Sequence, residues 1–288
     1  MMFLDPKSDI AFKKLFGNNQ KKNILISFLN SVLERKDGEK IVSVEILDPN
    51  NYPDIVLLKH SIVDVKCTDE KNKNYIVEMQ VSNLNDYSER CQYYTSLAFS
   101  RQLQKGEDYC QLKPVIFVGI VCFNLFESSD YLSHHLIMNS KTYEHTLKHL
   151  EFHFIELNKF NKQLSDLDDN VVDKWTYLLK NAIDMNTVPK NLADPKEIKE
   201  AFEVLNQCNW TRKELEAYDE YLDRLRVARS QQKTLQEESK AAGLAEGKAE
   251  GEKKTKTKIA KNMLDKFDTK IISEITGLSL KEIEDLKK

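Results

Sequence analysis

The sequence has few cysteines, and they lack the spacing that metal ribbons or disulfide scaffolds require. The five cysteines of the 288-residue chain are Cys67, Cys91, Cys110, Cys122 and Cys208. They form no Cys-x-x-Cys pair, which argues against a zinc ribbon, and their odd number argues against a disulfide framework. We therefore expect reduced thiols and a cytoplasmic location.

The sequence also lacks a long apolar run and an excess of one charge. The longest apolar run, Val115 to Phe126, falls short of the about 20 residues that a membrane span needs. The first residues lack the pattern of a signal peptide. The chain has 43 basic and 46 acidic residues, a formal net charge of -3, so any basic binding surface must be local. We expect a soluble protein without a membrane partner.

The hydrophobic residues, 41% of the chain, are arranged in patterns that predict a mixed α/β core. Helical spacing predicts one helix from Ile10 to Gly17, capped by Ser8 or Asp9, and alternation or apolar runs predict strands. The further predicted elements are a helix at 21–34, strands at 41–47, 62–68 and 75–82, a helix at 86–105, and strands at 115–126 and 150–157. From the helices at the start of the chain to the strand at 115–126, the order of the predicted elements is α–β–β–β–α–β.

The remainder of the chain is predicted to be helical in three parts. Residues 166–229 form a helical extension, with Ile183 in its apolar stripe. Residues 230–258 carry glycine at every fourth position three times and read as a charged, frayed helical linker. Residues 259–288 form a small tail of three short helices, of which the last is capped by Ser279 in a capping box. The tail is similar to a helix-turn-helix, but its acidic last helix favours dimerisation or binding of a protein partner over DNA reading.

The chemistry of the sequence is concentrated in the predicted hairpin of the second and third strands. Side chains alternate across a strand, so pairing the two apolar faces places Asp64, Lys66, Glu78 and Gln80 on one common face. A turn centred on Lys71 sets Asp64 opposite Glu78. Two neighbouring carboxylates repel each other, and a divalent cation relieves that repulsion. Carboxylates, a backbone carbonyl and waters are ligands that suit Mg²⁺.

Other interpretations of these residues remain open. Asp64 and Glu78 would also suit an ordinary solvated strand face. We favour a capping role for Asp9 over a role as a third acid. His145, His149 and His153 are four residues apart, as a metal stripe on a helix would be, but alternation around His153 favours a strand and unconnected histidines.

Six motifs, taken together, resemble one known family over nearly the whole chain. The hairpin residues 63–66 and 76–80 are similar to the core of the recombination-promoting nucleases (Rpn), also described as transposases, of the PD-(D/E)XK superfamily. Similar flanking motifs are DIAFKKLFG at 9–17, FLN at 28–30, RCQYY at 90–94, KPVI at 113–116, FIEL at 154–157, and the glycine-spaced linker with ISEITGLSLKEIEDL. The resemblance implies a restriction-endonuclease-like core over 1–165.

The resemblance also implies roles for particular residues. Asp64 and Glu78 would bind Mg²⁺, with Mn²⁺ as the alternative ion, and the backbone carbonyl of Met79 would be a third ligand. Gln80 stands where the wider superfamily has a catalytic lysine. We expect Gln80 to orient water and Lys66 to supply the missing positive charge.

Arg90 and Tyr94 are one turn apart on the next predicted helix, so both can point at the sheet. Arg90 would bind a phosphate oxygen, and Tyr94 would hold Glu78 or a water.

The predicted function is that of a Mg²⁺-dependent DNA endonuclease in which an activated water attacks the phosphodiester. The resemblance implies a part in DNA recombination, transposition or defence against foreign DNA, with contacts mainly to the DNA backbone. A homodimer would suit cleavage of both strands. One alternative is an inactive nuclease-like protein that recruits partners through residues 259–288. Cleavage of RNA is another.

Overall fold

The computed structural model describes residues 2–47, 64–83 and 86–286 of the chain. It divides into two compact units, Met1–Tyr221 and Leu222–Lys288. The predicted turn at 48–53 and the first residues of the predicted strand at 62–68 lie outside the described residues. The helices and strands of the described part are α1 (Asp9–Phe16), α2 (Lys22–Val32), β1 (Val44–Leu47), β2 (Val65–Asp69), β3 (Asn74–Gln80), α3 (Tyr87–Ser100), β4 (Val115–Val121), β5 (Leu132–Leu136), β6 (Leu150–Glu156), α4 (Val171–Asn181), α5 (Lys196–Leu205), α6 (Arg212–Met263), α7 (Thr269–Thr276) and α8 (Leu280–Asp285).

The first unit is built on a mixed sheet of six strands in the order β1-β2-β3-β4-β6-β5. The strands β1, β2 and β3 are antiparallel neighbours, whereas β3, β4 and β6 run parallel and β5 returns antiparallel to β6. The predicted succession of helices and strands is confirmed, and with it the restriction-endonuclease-like α/β core. Strand β5 was not predicted.

The sheet is covered by helices whose apolar residues the sequence patterns place correctly. All seven residues of the central strand β4 are buried, as its continuous apolar run predicts. Helix α3 packs on this strand through Tyr87 and Cys91, which share a core cluster with Phe117 and Phe154. Helices α1, α2 and α4 are joined by a cluster of the rings of Phe16, Phe28 and Trp175.

One expectation about the helical half of the chain is wrong in detail. Ile183 is 43% exposed, because α4 ends at Asn181 and Ile183 lies in the short turn that follows. Residues 230–258 lie within α6, which continues as a helix to Met263, and the fraying of this charged helical linker stays a prediction.

The second unit contains a small core formed by the end of α6 with α7 and α8. Its buried residues are Ala260, Ile272, Leu278 and Ile283. Ser279 caps α8, and its capping box with Glu282 is present as predicted. The first of the three predicted tail helices is the end of α6 and not a separate helix. None of the helices in the described ranges combines the length and apolar character needed to cross a membrane.

Candidate active site

The hairpin of β2 and β3 has the register that alternation predicts. Val65 stands opposite Val77 and Lys66 opposite Ile76, and Asp64 directly precedes the first of these paired residues. Extending this register by one residue brings Asp64 to the position opposite Glu78. Residues that are opposite in an antiparallel pair point to the same face of the sheet. The Oδ2 atom of Asp64 accepts a hydrogen bond of 2.8 Å from the Met79 amide, which fixes the carboxylate where β2 begins.

Helix α1 brings a second acid and a lysine to Asp64. The Nζ atom of Lys13 lies 2.8 Å from Oδ1 of Asp9 and 3.9 Å from Oδ1 of Asp64. The pKa of Asp64 is raised to about 8, chiefly by burial and then by a hydrogen bond with the Asp9 carboxyl group, whereas the Met79 amide and Lys13 act in the opposite direction. The two carboxyl groups are thus in contact, and a proton or a cation between them stabilises the pair.

Asp9 is an acid that the sequence analysis considers but sets below a capping role. The cap of α1 is Ser8, whose Oγ accepts a hydrogen bond from the Ala11 amide, and Asp9 is the first helical residue. The favoured capping role for Asp9 is therefore wrong. Asp9 and Lys13 are one helical turn apart within the opening motif, and that i,i+4 pair was the available signal.

Glu78 has a basic partner from the other flanking helix. Its carboxylate is 7% exposed, and Nη2 of Arg90 donates to Oε1 at 3.3 Å. Burial raises the pKa of Glu78, and the positive charge of Arg90 opposes that rise. Tyr94 follows one turn later on α3, where its ring packs against Tyr93 with 5.5 Å between the ring centres.

Lys66 and Gln80 lie on the predicted face but at its two ends. Lys66 is partly buried, and both burial and the charge of Arg101 lower its pKa. Its side chain is therefore close to Arg101, just past the end of α3. Gln80 uses its side-chain amide to donate a 2.9 Å hydrogen bond to the carbonyl of Ser82. The structure thus places Asp9, Asp64 and Lys13 together, and separately Glu78 with Arg90.

The acids of this site fit a hard divalent cation by donor type and by charge. Asp9 and Asp64 are carboxylates in contact, only partly compensated by Lys13, and Glu78 is the next acid across the hairpin. In the described part of the chain, no three His, Cys, Asp or Glu side chains already converge as a closed metal cage. A cation held by Glu78 as well would have to compete with Arg90, which is 3.3 Å from Oε1 of Glu78.

The three histidines spaced by four do not form a stripe on one helix. His153 lies in β6, as alternation predicts, with its ring 4.6 Å from that of His134 on β5. Burial lowers the pKa of His153, so its neutral form is favoured.

Comparison with known proteins assigns the family. A family model described as PD-(D/E)XK nuclease family transposase matches residues 6–238, and thus the sheet, both flanking helices and the hairpin acids. The chain belongs to the PD-(D/E)XK nuclease family transposases. Neither a curated protein nor a solved structure matches it. Membership in this family supports a nuclease- or transposase-related role with DNA as the substrate.

Proposed function

We propose that this family member is a DNA endonuclease that hydrolyses phosphodiester bonds with the help of Mg²⁺ or Mn²⁺. The observation that carries the proposal is the position of Asp64, which is buried in contact with Asp9 and directly precedes the strand that pairs with the strand of Glu78. A buried carboxylate in contact with a second acid is unfavourable unless a proton or a cation lies between them. Asp64, Glu78 and the backbone carbonyl of Met79 would hold the ion, with Asp9 as a further donor.

The protein residues would position the substrate and the attacking water. A divalent cation supplies Lewis-acid chemistry, which activates water and stabilises charge on the attacked phosphate. Arg90, once exchanged from Glu78, would bind a phosphate oxygen through its planar guanidinium group. Gln80 would orient the water, Lys66 would contribute positive charge, and Tyr94 would hold Glu78 or a water.

The biological process that we propose is DNA recombination, transposition or defence against foreign DNA. The family match supports a nuclease- or transposase-related role, and the particular process is part of the proposal. A homodimer would allow both strands of a duplex to be cut, and contacts mainly to the DNA backbone would suit a site without a base-reading element.

A second candidate is an inactive nuclease-like protein that recruits a partner through residues 259–288. It is favoured by Gln80, which carries no charge at the usual lysine position, and by the ion pair that holds Glu78 to Arg90.

The test is a plasmid-nicking assay with Mg²⁺ or Mn²⁺ on the wild type, Asp64→Ala and Glu78→Ala. Asp37→Ala is a matched control, because this aspartate is exposed and pairs with Lys40 away from the site. We expect nicking by the wild type and the control, abolished by EDTA and by either site variant. Equal, negligible nicking by all four proteins would favour the inactive interaction protein. A parallel competition with RNA distinguishes the two nucleic acids.

A further inference from the structure

Tyr87, in the first turn of α3, has a buried hydroxyl that packing does not explain. The residue is 1% exposed, and its ring packs edge-on against Phe123 and Phe154. In the described ranges the hydroxyl oxygen has no hydrogen-bond partner. Leaving a buried hydroxyl unpaired costs about 1–3 kcal/mol, so a phenylalanine would fill this space at a lower cost.

The hydroxyl group lies over the strand next to Glu78. A Cβ atom built on Gly119 would lie only 2.9 Å from the Tyr87 hydroxyl oxygen, so this glycine leaves the space that the hydroxyl occupies. Gly119 is the residue of β4 that pairs with Glu78 in the parallel register. Side chains of paired residues in adjacent strands point to the same face. The hydroxyl and the Glu78 carboxylate therefore share one face of neighbouring strands.

The charges around Tyr87 support this placement. Burial raises the pKa of Tyr87, the charges of Cys91 and Glu78 and an interaction with the Cys91 thiol raise it further, and the charge of Arg90 lowers it. The guanidinium carbon of Arg90 lies 5.9 Å from the centre of the Tyr87 ring. The Cys91 thiol, one turn later on α3, competes for the hydroxyl, but sulfur is a weak hydrogen-bonding atom, and the geometry of the hydroxyl forms no hydrogen bond with it.

We propose that Tyr87 is a positioning residue for Glu78, whose carboxylate accepts a hydrogen bond from the Tyr87 hydroxyl when it exchanges Arg90 for a divalent cation. This inference rests on the proposed function. Carboxylates that bind metals are themselves held by hydrogen bonds from surrounding groups, and losing such a bond costs 10- to 100-fold in metal affinity. A neutral hydroxyl suits this role, because it orients the carboxylate without competing with the charge of the cation.

The test is a calorimetric titration of the full chain with Mn²⁺ in the absence of DNA, together with thermal unfolding of the metal-free protein. We expect Tyr87→Phe to bind Mn²⁺ at least 10-fold more weakly than the wild type, with an unchanged or higher unfolding temperature without metal. The matched control is Tyr75→Phe. The Tyr75 hydroxyl is paired, since it donates to Oδ2 of Asp69 at 2.8 Å, and its position in β3 puts it on the other face of the sheet. This control should lose stability and keep its Mn²⁺ affinity.

Each contrary outcome identifies which proposal fails. Wild-type affinity in Tyr87→Phe would overturn the positioning role and leave the proposed function intact. Loss of stability in metal-free Tyr87→Phe, comparable to that of Tyr75→Phe, would show a structural hydroxyl and also overturn it. If the wild type binds no Mn²⁺, or binds it equally after Asp64→Ala, the metal site itself fails and the inference fails with it.

Discussion

The two acids of the hairpin have similar burial but opposite partners. Asp64 meets another acid, Asp9 of α1, whereas Glu78 meets the guanidinium of Arg90 on α3. Burial raises the pKa of both carboxyl groups, but α1 raises that of Asp64 further and α3 opposes the rise at Glu78. One half of the site therefore has two acids that Lys13 compensates only in part, and in the other half a single acid is already paired with a guanidinium group.

This difference indicates how the two halves would respond to a cation. A divalent cation near Asp64 would replace a shared proton, because the Asp9–Asp64 pair lacks sufficient positive charge. At Glu78 the same cation would have to displace a guanidinium, which has a free-energy cost of its own. We expect the α1 half to dominate the affinity for the ion and the α3 half to influence its final geometry.

The largest expected effect is that of Asp64→Asn, which removes the carboxylate that Asp64, once deprotonated, would offer to a cation. Nicking should fall at least about 100-fold, since losing a direct ligand exceeds the 10- to 100-fold loss typical of a surrounding group. In contrast to the activity, the stability of Asp64→Asn should exceed that of the wild type as the pH rises towards 8. The pKa of Asp64 is about 8 in the folded protein, against an unfolded value of about 3.9.

The sign of the pH dependence follows from proton binding. Between these two values the folded protein binds a proton that the unfolded chain lacks, so the contribution of Asp64 to stability is complete below about pH 4 and falls as the pH rises towards 8. Asp64→Asn should therefore gain stability relative to the wild type between pH 5 and pH 8, as measured by urea unfolding. Asp37→Asn, at an exposed site, should keep the wild-type profile. An unchanged profile in Asp64→Asn would contradict the raised pKa of Asp64 that burial and the contact with Asp9 produce together.

The next largest effect is expected at Arg90, the basic partner of Glu78. Arg90→Met leaves Glu78 buried without its basic partner, which should cost about 2–3 kcal/mol of unfolding free energy. Adding Glu78→Gln should recover part of the loss, because the neutral side chain no longer needs a positive partner. A double-mutant cycle in urea isolates this pair from the other contacts of Arg90. If the losses of unfolding free energy in the two single variants simply add, Arg90 does not stabilise Glu78, and the α3 half of the site does not differ from the α1 half in this respect.

Most of the fold was predictable because its periodicities are local. The run of β4 and the alternation in β2 and β3 specify the central sheet, and the register then follows from matching apolar faces. Strand β5 was not predictable, since its sequence LSHHL has little apolar character and its second half is exposed at the edge of the sheet. Its strand conformation depends on pairing with β6, which lies later in the chain.

The site was predictable only in its hairpin. Strand alternation predicts that Asp64 and Glu78 share a face of the hairpin. It does not predict their contacts, because Asp64 meets a residue of α1 and Glu78 meets a residue of α3. The contact of Asp9 with Asp64 depends on the packing of α1, and that of Tyr87 with the space above Gly119 depends on the packing of α3. Neither contact leaves a periodic signal, so sequence reasoning reads Asp9 as a cap and passes over Tyr87.

A smaller effect is expected at Gly119, which sharpens the description of the α3 half. An added Cβ would lie 2.8 Å from Cδ1 of Phe154 and 2.9 Å from the Tyr87 hydroxyl, so Gly119→Ala should cost about 1–2 kcal/mol through overpacking. The cost should be lower in the Tyr87→Phe background, because one of the two clashes is removed. Urea unfolding of the four proteins measures this coupling. Equal costs in both backgrounds would place the hydroxyl away from Gly119.

The smallest effect is expected from two variants of α1 that distinguish the helix-capping role of Ser8 from the influence of Asp9 on Asp64. Ser8→Ala removes the side chain that accepts from the Ala11 amide and should cost about 1 kcal/mol, without altering the pH dependence that Asp64 imposes. Asp9→Asn keeps the cap and removes the neighbouring charge, so it should reduce that pH dependence in part, while burial of Asp64 maintains the rest, at little cost in stability at pH 5. Unfolding of both variants at pH 5 and pH 8 gives the comparison. If Ser8→Ala reduced the pH dependence and Asp9→Asn did not, Asp9 would be a helix-terminal residue and the third acid would have to be sought elsewhere.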